Sequence, residues 1–203
     1  MNTFKTKYDF KNAFTEDKIK DSFLILAGEK SISKITIDEI CKIAGIHRST
    51  FYRHFTDIYN LLSVMESDLI EEMKSVLKPF GDFNAVSSEG YVRKKLLLRY
   101  FHICKWNRNL ILALTEGNID INFRGDFAKI VNDSIEGAFL ALKWETPQYM
   151  PYMMQLTSDI ILSVLIQWLK RDDMNYEEFL FLYEEVFRSN YFLVYNTSSL
   201  KRN

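Results

Sequence analysis

A glycine at position 45 cuts a helical pattern after only two turns, and the pattern resumes within three residues. Upstream, Thr36-Ile37-Asp38-Glu39 has the form of a capping box, a hydroxyl followed three residues later by a carboxylate, so a helix starts there and runs to about Ile43. Gly45 tolerates the positive φ that a sharp turn needs, and Ile46 follows as an apolar anchor. Residues 47–54 then place Phe51 and Phe55 four apart to face inward and leave His47, Arg48, Ser49, Tyr52 and Arg53 for the other side. A helix this short is not stable alone, so its neighbours must hold it.

The rest of the chain reads as helices too. Seven Gly and three Pro in 203 residues leave almost none of the paired-turn punctuation that separates short strands, and no strand alternation stands out. A first helix is expected over 16 to about 30, capped by Thr15. Thr56-Asp57 caps a long helix over 58–78, and Gly81 to Gly90 is rich in small and polar residues, as a connection is. Further helices are expected near 90–105, 107–117, 122–144, 147–171 and 176–194, the fourth with Thr146 as cap and Pro147 in its first position, the last opening on Asn175 with Glu178 three residues on. The expectation is an all-α fold of about nine helices, divided into a three-helix N-terminal domain over 1–56 and a larger helical domain over 57–203. Hydrophobic residues, 47% of the chain, suffice for a substantial core.

Charge excludes little. The net charge is −1, split as +2 over residues 1–60 and −3 over 61–203, a weak asymmetry with the sign that a polyanion-binding N-terminal segment needs. Cys41 and Cys104 lie far apart with no metal-ligand spacing, so neither a disulfide framework nor a metal site is indicated. No leader-like apolar run opens the chain and charge interrupts the longer apolar stretches, so a cytoplasmic protein outside the membrane is expected. There is no phosphate-binding glycine loop and no nucleophile elbow, and the pairs Glu71-Glu72, Glu177-Glu178 and Glu184-Glu185 read as solvated helix faces. The chain is expected to be a non-enzyme, with no catalytic residues and no cofactor.

Two short helices joined by a tight glycine turn place the second in the major groove of double-stranded DNA. Arg48 suits a bidentate pair to guanine, Thr50 a thymine methyl or a phosphate, and Tyr52, Arg53 and His54 phosphates or bases. The run Thr36-Ile-Asp-Glu-Ile-Cys-Lys-Ile-Ala-Gly-Ile-His-Arg-Ser-Thr-Phe-Tyr-Arg-His-Phe-Thr-Asp resembles the TetR/AcrR DNA-binding signature over about a quarter of the chain. The resemblance implies DNA contacts at Thr36, Arg48, Ser49, Thr50, Tyr52, Arg53 and His54, to which His47 is added as the first residue of the segment. Three departures stand out: Ser31 where a glycine usually ends the first helix, Cys41 in place of alanine, and Ile58 in place of a phosphate-binding lysine.

The C-terminal half is rich in aromatics. Tyr91, Tyr100, Phe101, His102, Trp106, Phe139 and Trp144 suit either a core or an effector cavity, and Arg99, His102, Trp106 and Phe139 are the candidate effector contacts. The segments 160–169 and 179–192 are apolar nearly all round, which calls for burial on more than one face. A homodimer joined as a four-helix bundle through Ile160, Val164, Trp168, Phe179, Tyr183 and Phe187 answers that need, and the resemblance implies the same arrangement. The expected function is a homodimeric transcriptional regulator, a repressor, that binds a palindromic operator and is released by a small-molecule effector. Two alternatives are an interaction protein that has kept the fold and lost DNA binding, and a helical ligand carrier or enzyme.

Overall fold

The computed structural model describes residues 7–77, 90–116, 122–141, 146 and 148–185, and every regular element among them is helical. The order is α1 (Lys7–Glu29), a 3-10 turn (Ile32–Lys34), α2 (Ile37–Ala44), α3 (Arg48–His54), α4 (Ile58–Leu77), α5 (Gly90–Trp106), α6 (Arg108–Glu116), α7 (Phe123–Ala141) and α8 (Met150–Arg171). A further helix, α9, covers 176–185. Two compact units divide the chain: Met1–Asp68 with Asn109–Ile121, and Leu69–Arg108 with Asn122–Asn203. The motif boundary expected after residue 56 and this packing division differ, because the first half of α4 and nearly all of α6 cluster with the N-terminal helices.

In the first unit, Ile19, Phe23, Leu26, Ile40, Phe51, Phe55, Leu61 and Leu62 are buried, one or more from each of its first four helices. Asn109 of α6 donates from Nδ2 to the carbonyl of Leu24 on α1, close to Gly28, whose missing side chain leaves room for it. α1 begins at Lys7 rather than at 16, so Thr15 lies inside the helix and is not its cap. No glycine or proline interrupts residues 7–15, and nothing there forces a start. Ser31 adopts φ −63, and the chain leaves α1 through the 3-10 turn, so the departure from glycine is met without a left-handed residue.

The start of α2 is the capping box read from the sequence. Thr36 Oγ1 accepts from the Glu39 N–H at 3.3 Å, and Glu39 Oε2 accepts from the Thr36 N–H at 3.0 Å. Asp57 caps α4 by accepting from the Asn60 N–H at 2.7 Å, and Asn60 Oδ1 accepts from the Thr56 N–H. Asn175 and Glu178 form a second reciprocal box at the start of α9.

The second unit is organised around aromatic rings. Trp168 of α8 lies 4.1 Å from Phe179 of α9 with the rings nearly parallel, and Phe101 of α5 meets Phe179 edge-on at 4.9 Å and Tyr183 at 5.2 Å. The Trp168 indole N–H donates to the Met174 carbonyl at 3.0 Å, so its polar atom is satisfied. Trp168 and Phe179 are 4% and 0% exposed, which corrects their expected place in a dimer face: they are the core of a single chain. Phe187 lies outside the described residues.

α8 starts at Met150, with Tyr149 in the cap position and Pro151 in the first turn, where a missing N–H is tolerated. It does not start at Pro147, which lies outside the described residues, as does the stretch 81–89. α8 ends on Asp172 in the left-handed region at φ 54, a conformation aspartate tolerates better than most, with Lys105 of α5 paired to its carboxylate. Contrary to the expectation that charge interrupts every long apolar stretch, α8 is long and apolar enough to cross a membrane. Half of its most apolar window is buried inside the fold, where a core helix needs apolar residues as much as a span does.

Two outcomes follow. The Lys30 ammonium, donating to Glu39 Oε1 at 2.6 Å, and the Thr36 hydroxyl and N–H hold the Glu39 carboxyl at about 2, below its ordinary 4.5. Its contribution to stability is therefore present above pH 4.5 and is lost as the pH falls toward 2; in acid titrations followed by circular dichroism, Glu39→Gln flattens that limb. Trp168→Ala empties the aromatic core and costs about 3–5 kcal/mol in denaturant unfolding, a loss that surface truncations do not produce.

Candidate nucleic-acid interface

Gly45 ends α2 in the left-handed conformation, φ 66 and ψ 39, with its N–H and that of Ile46 both donating to the Cys41 carbonyl. This closure, with one carbonyl taking two donors, turns the chain sharply enough for α3 to start at Arg48. His47 occupies the cap position of α3 and makes no side-chain cap bond, and Phe55 closes the helix with its N–H on the Phe51 carbonyl at 2.9 Å. Phe51 is fully buried and Phe55 3% exposed, so the inner face of α3 is held by two rings 5.9 Å apart.

The opposite face gathers most of the residues singled out from the sequence. His47, Arg48, Ser49, Tyr52 and Arg53 are exposed, and Thr50 is half-buried beside them. Arg48 is held on two sides: Nη1 donates to Asp38 Oδ2 on α2 at 3.2 Å, and Nη2 donates to Tyr52 Oη at 3.3 Å. Hydrogen bonding to Tyr52 and the Asp38 charge raise the Arg48 pKa above its already high ordinary value, so the guanidinium stays charged.

Two of the expected contacts stand differently. The His54 side chain is 5% exposed, and its Nδ1 lies 3.2 Å from Glu16 Oε1 on α1, so it ties α3 to α1 and presents no donor at the surface. Its position in the last turn of a seven-residue helix, one residue before buried Phe55, turns it inward. Thr36 is exposed, but its hydroxyl donates to Glu39 Oε2 at 2.8 Å and accepts from the Glu39 N–H, so its first role is to start α2. Ile58 is half-buried at the start of α4 and brings no cation to the surface there. Asp38 is the residue that sequence reasoning missed: an acid in the first turn of a helix already has an explanation in the helix dipole, which hides a second role.

In the second unit the described candidates for effector contacts lie at the surface. Arg99, His102 and Trp106 lie on the outer face of α5, Trp106 being 91% exposed, and His102 stacks on Tyr176 at 4.1 Å. The residues that α5 turns inward include Leu97, Tyr100, Phe101, Ile103 and Cys104, whose side chains are buried. The Phe139 side chain lies outside the described residues. A groove of about 510 Å³ opens instead between α7 and α8, lined by residues that include Arg124, Lys129, Asn132, Glu136, Met154 and Gln155.

Residues 24–65 match the model of the bacterial regulatory proteins of the tetR family. Among solved structures, the chain is similar to the dihydroxyacetone kinase operon activator DhaS, at 16% identity over 87% of this chain and 93% of that one, with a TM-score of 0.61. It is similar to a TetR transcriptional regulator from Streptococcus agalactiae, at 22% identity over 87% and 94%, with a TM-score of 0.58. It is also similar to Thermus thermophilus FadR, a TetR-family transcriptional repressor in complex with lauroyl-CoA, at 17% identity over 86% and 92%, with a TM-score of 0.55. No curated protein matches the sequence. At these identities the structural likeness establishes the fold, and the family model covers the helix-turn-helix itself. Residues 24–65 are thus a helix-turn-helix segment of the tetR regulatory type, and the fold of the chain is similar to that of TetR-family transcriptional regulators.

Proposed function

We propose that the chain acts as a homodimeric transcriptional repressor that binds a palindromic operator through α3 and is released by a small-molecule effector. The observation that carries this reading is the two-faced character of α3: Phe51 is fully buried on one side, and His47, Arg48, Ser49, Tyr52 and Arg53 are exposed on the other. A short helix anchored by one aromatic and lined outward with donors is what a major groove accepts. The DNA contacts are then His47, Arg48, Ser49, Thr50, Tyr52 and Arg53, with Thr36 beside them and His54 placed behind. Residues 1–56 do the reading, and 57–203 carry effector binding and dimerisation.

Dimerisation runs along the outer stripe of α8. Tyr152 and Leu156 are exposed there at 79% and 48%, Ile160 and Val164 are half-buried, and Phe181 of α9 is 66% exposed. Residues four apart on one helix make a continuous apolar strip, which is costly in water and suits a copy of itself across a two-fold axis. Half-sites are spaced by about one helical turn, roughly 34 Å, or a multiple of it. The effector belongs to the second unit, where the groove between α7 and α8 offers both signs of charge beside apolar Met154. α4 contributes residues to both units, so an effector-driven change in its second half reaches the first through a continuous helix. The repressor FadR with its lauroyl-CoA supports release by a small molecule; DhaS, named an activator, makes the sign of regulation the second outcome that an in vitro transcription assay reads.

Selection of DNA sequences by the purified protein tests the reading directly. Arg48→Ala is expected to lose about tenfold to a hundredfold in discrimination at one base position, beyond the uniform, salt-dependent weakening that loss of one cation brings to unrelated DNA; full selectivity in that variant would refute docking through α3. For the dimer, the double change Leu156→Asp and Ile160→Asp is expected to give a helical monomer by light scattering that no longer binds the full palindrome. A dimer of unchanged mass would move the interface elsewhere.

A further inference from the structure

We propose that Asp38 is a specificity-determining residue of the DNA-reading surface, fixing the Arg48 guanidinium from the neighbouring helix. The inference rests on the reading of α3 as the helix that meets the bases. Arg48 Nη1 donates to Asp38 at 3.2 Å, Nη2 donates to Tyr52 Oη at 3.3 Å, and the guanidinium carbon lies 6.0 Å from the Tyr52 ring centre. The Arg48 and Asp38 side chains are 57% and 67% exposed, so the contact lies on the outer surface. An ion pair that open adds little to stability, and the fold alone gives no reason for it.

Its geometry does. An arginine carries five N–H donors, of which these two contacts use two, and the remaining three suffice for the O6 and N7 acceptors of a guanine. Asp38 holds the guanidinium from α2 and Tyr52 holds it from within α3, so the plane of the fork is set before DNA arrives. Less side-chain freedom is then lost on binding, and the loss is smallest for the one base whose acceptors lie where the fork points. The Asp38 carboxylate also puts negative charge on a surface that approaches phosphates, which weakens binding to every sequence alike. Fixed geometry for the right base widens the gap between specific and non-specific binding, while the repulsion lowers both alike and keeps the protein from being held on unrelated DNA. Asp38 itself need touch no base, and Tyr52 keeps its O–H to donate to a phosphate while its oxygen accepts from Arg48.

The test uses full-length protein, a site chosen by DNA selection with the wild type, and single-base variants of that site. Asp38→Ala is expected to lose about tenfold in discrimination at the same base position that Arg48→Ala affects, while its affinity for unrelated DNA rises at low salt. Asp38→Asn keeps an acceptor for Arg48 without the charge, so it retains most of the discrimination and still gains non-specific affinity. Thermal unfolding of each variant identifies any loss that comes from a weakened start of α2, which lowers binding to all sequences together. A folded Asp38→Ala protein whose discrimination matches the wild type at every position, or falls equally at positions indifferent to Arg48, overturns the role of Asp38 and leaves the DNA-reading assignment standing. A wild-type protein that selects no sequence overturns that assignment, and Asp38 with it.

Discussion

Burial of the Phe51 ring is the interaction on which the helix-turn-helix depends. α3 has only seven residues, too few to be helical in isolation, and its shape is imposed by what it packs against. Full burial of a phenylalanine side chain contributes about 1.5–3 kcal/mol, more than any single backbone bond at the ends of so short a helix. Phe55 and the inward-turned His54, tied to Glu16 of α1, fix the rotation of α3 about its own axis. Rotation is what decides which side chains face outward, so the donor set at 47–53 is a consequence of those anchors rather than an independent feature.

The same logic sets the position of Arg48. Gly45 lets α2 stop and α3 start within three residues, which brings the first turn of α2 beside the first turn of α3. Asp38 and Arg48 are ten residues apart in sequence and meet across the turn in which Gly45 takes positive φ. The capping box of Thr36 and Glu39, reinforced by Lys30 from the end of α1, fixes where α2 begins and therefore where Asp38 lies. Local caps thus have a consequence at the surface: they aim a carboxylate at an arginine.

In the second unit, one aromatic cluster replaces many weaker contacts. Trp168, Phe179, Phe101 and Tyr183 come from α8, α9 and α5, and their offset and edge-on arrangements join three helices at one point. Burial of Trp168 and Phe179 within the chain leaves Leu156, Ile160 and Val164 as the apolar face of α8. An all-round apolar helix in sequence has two customers for its faces, core and partner, and periodicity cannot divide residues between them.

The sequence by itself determined the helical class, the boxes at Thr36 and Asn175, the left-handed turn at Gly45 and the inward pair Phe51 and Phe55, because each follows from spacing and local chemistry within about one helical turn. Helix starts without a strong cap were not legible: α1 begins at Lys7 and α8 at Met150, where no single residue forces a boundary. Only the tertiary structure decided that His54 faces Glu16, that Trp168 is core, that Arg99, His102 and Trp106 point outward, and that Asp38 meets Arg48. Each of those depends on the rotation of one helix against another. That angle is set by the summed packing of distant residues, and no local pattern encodes it.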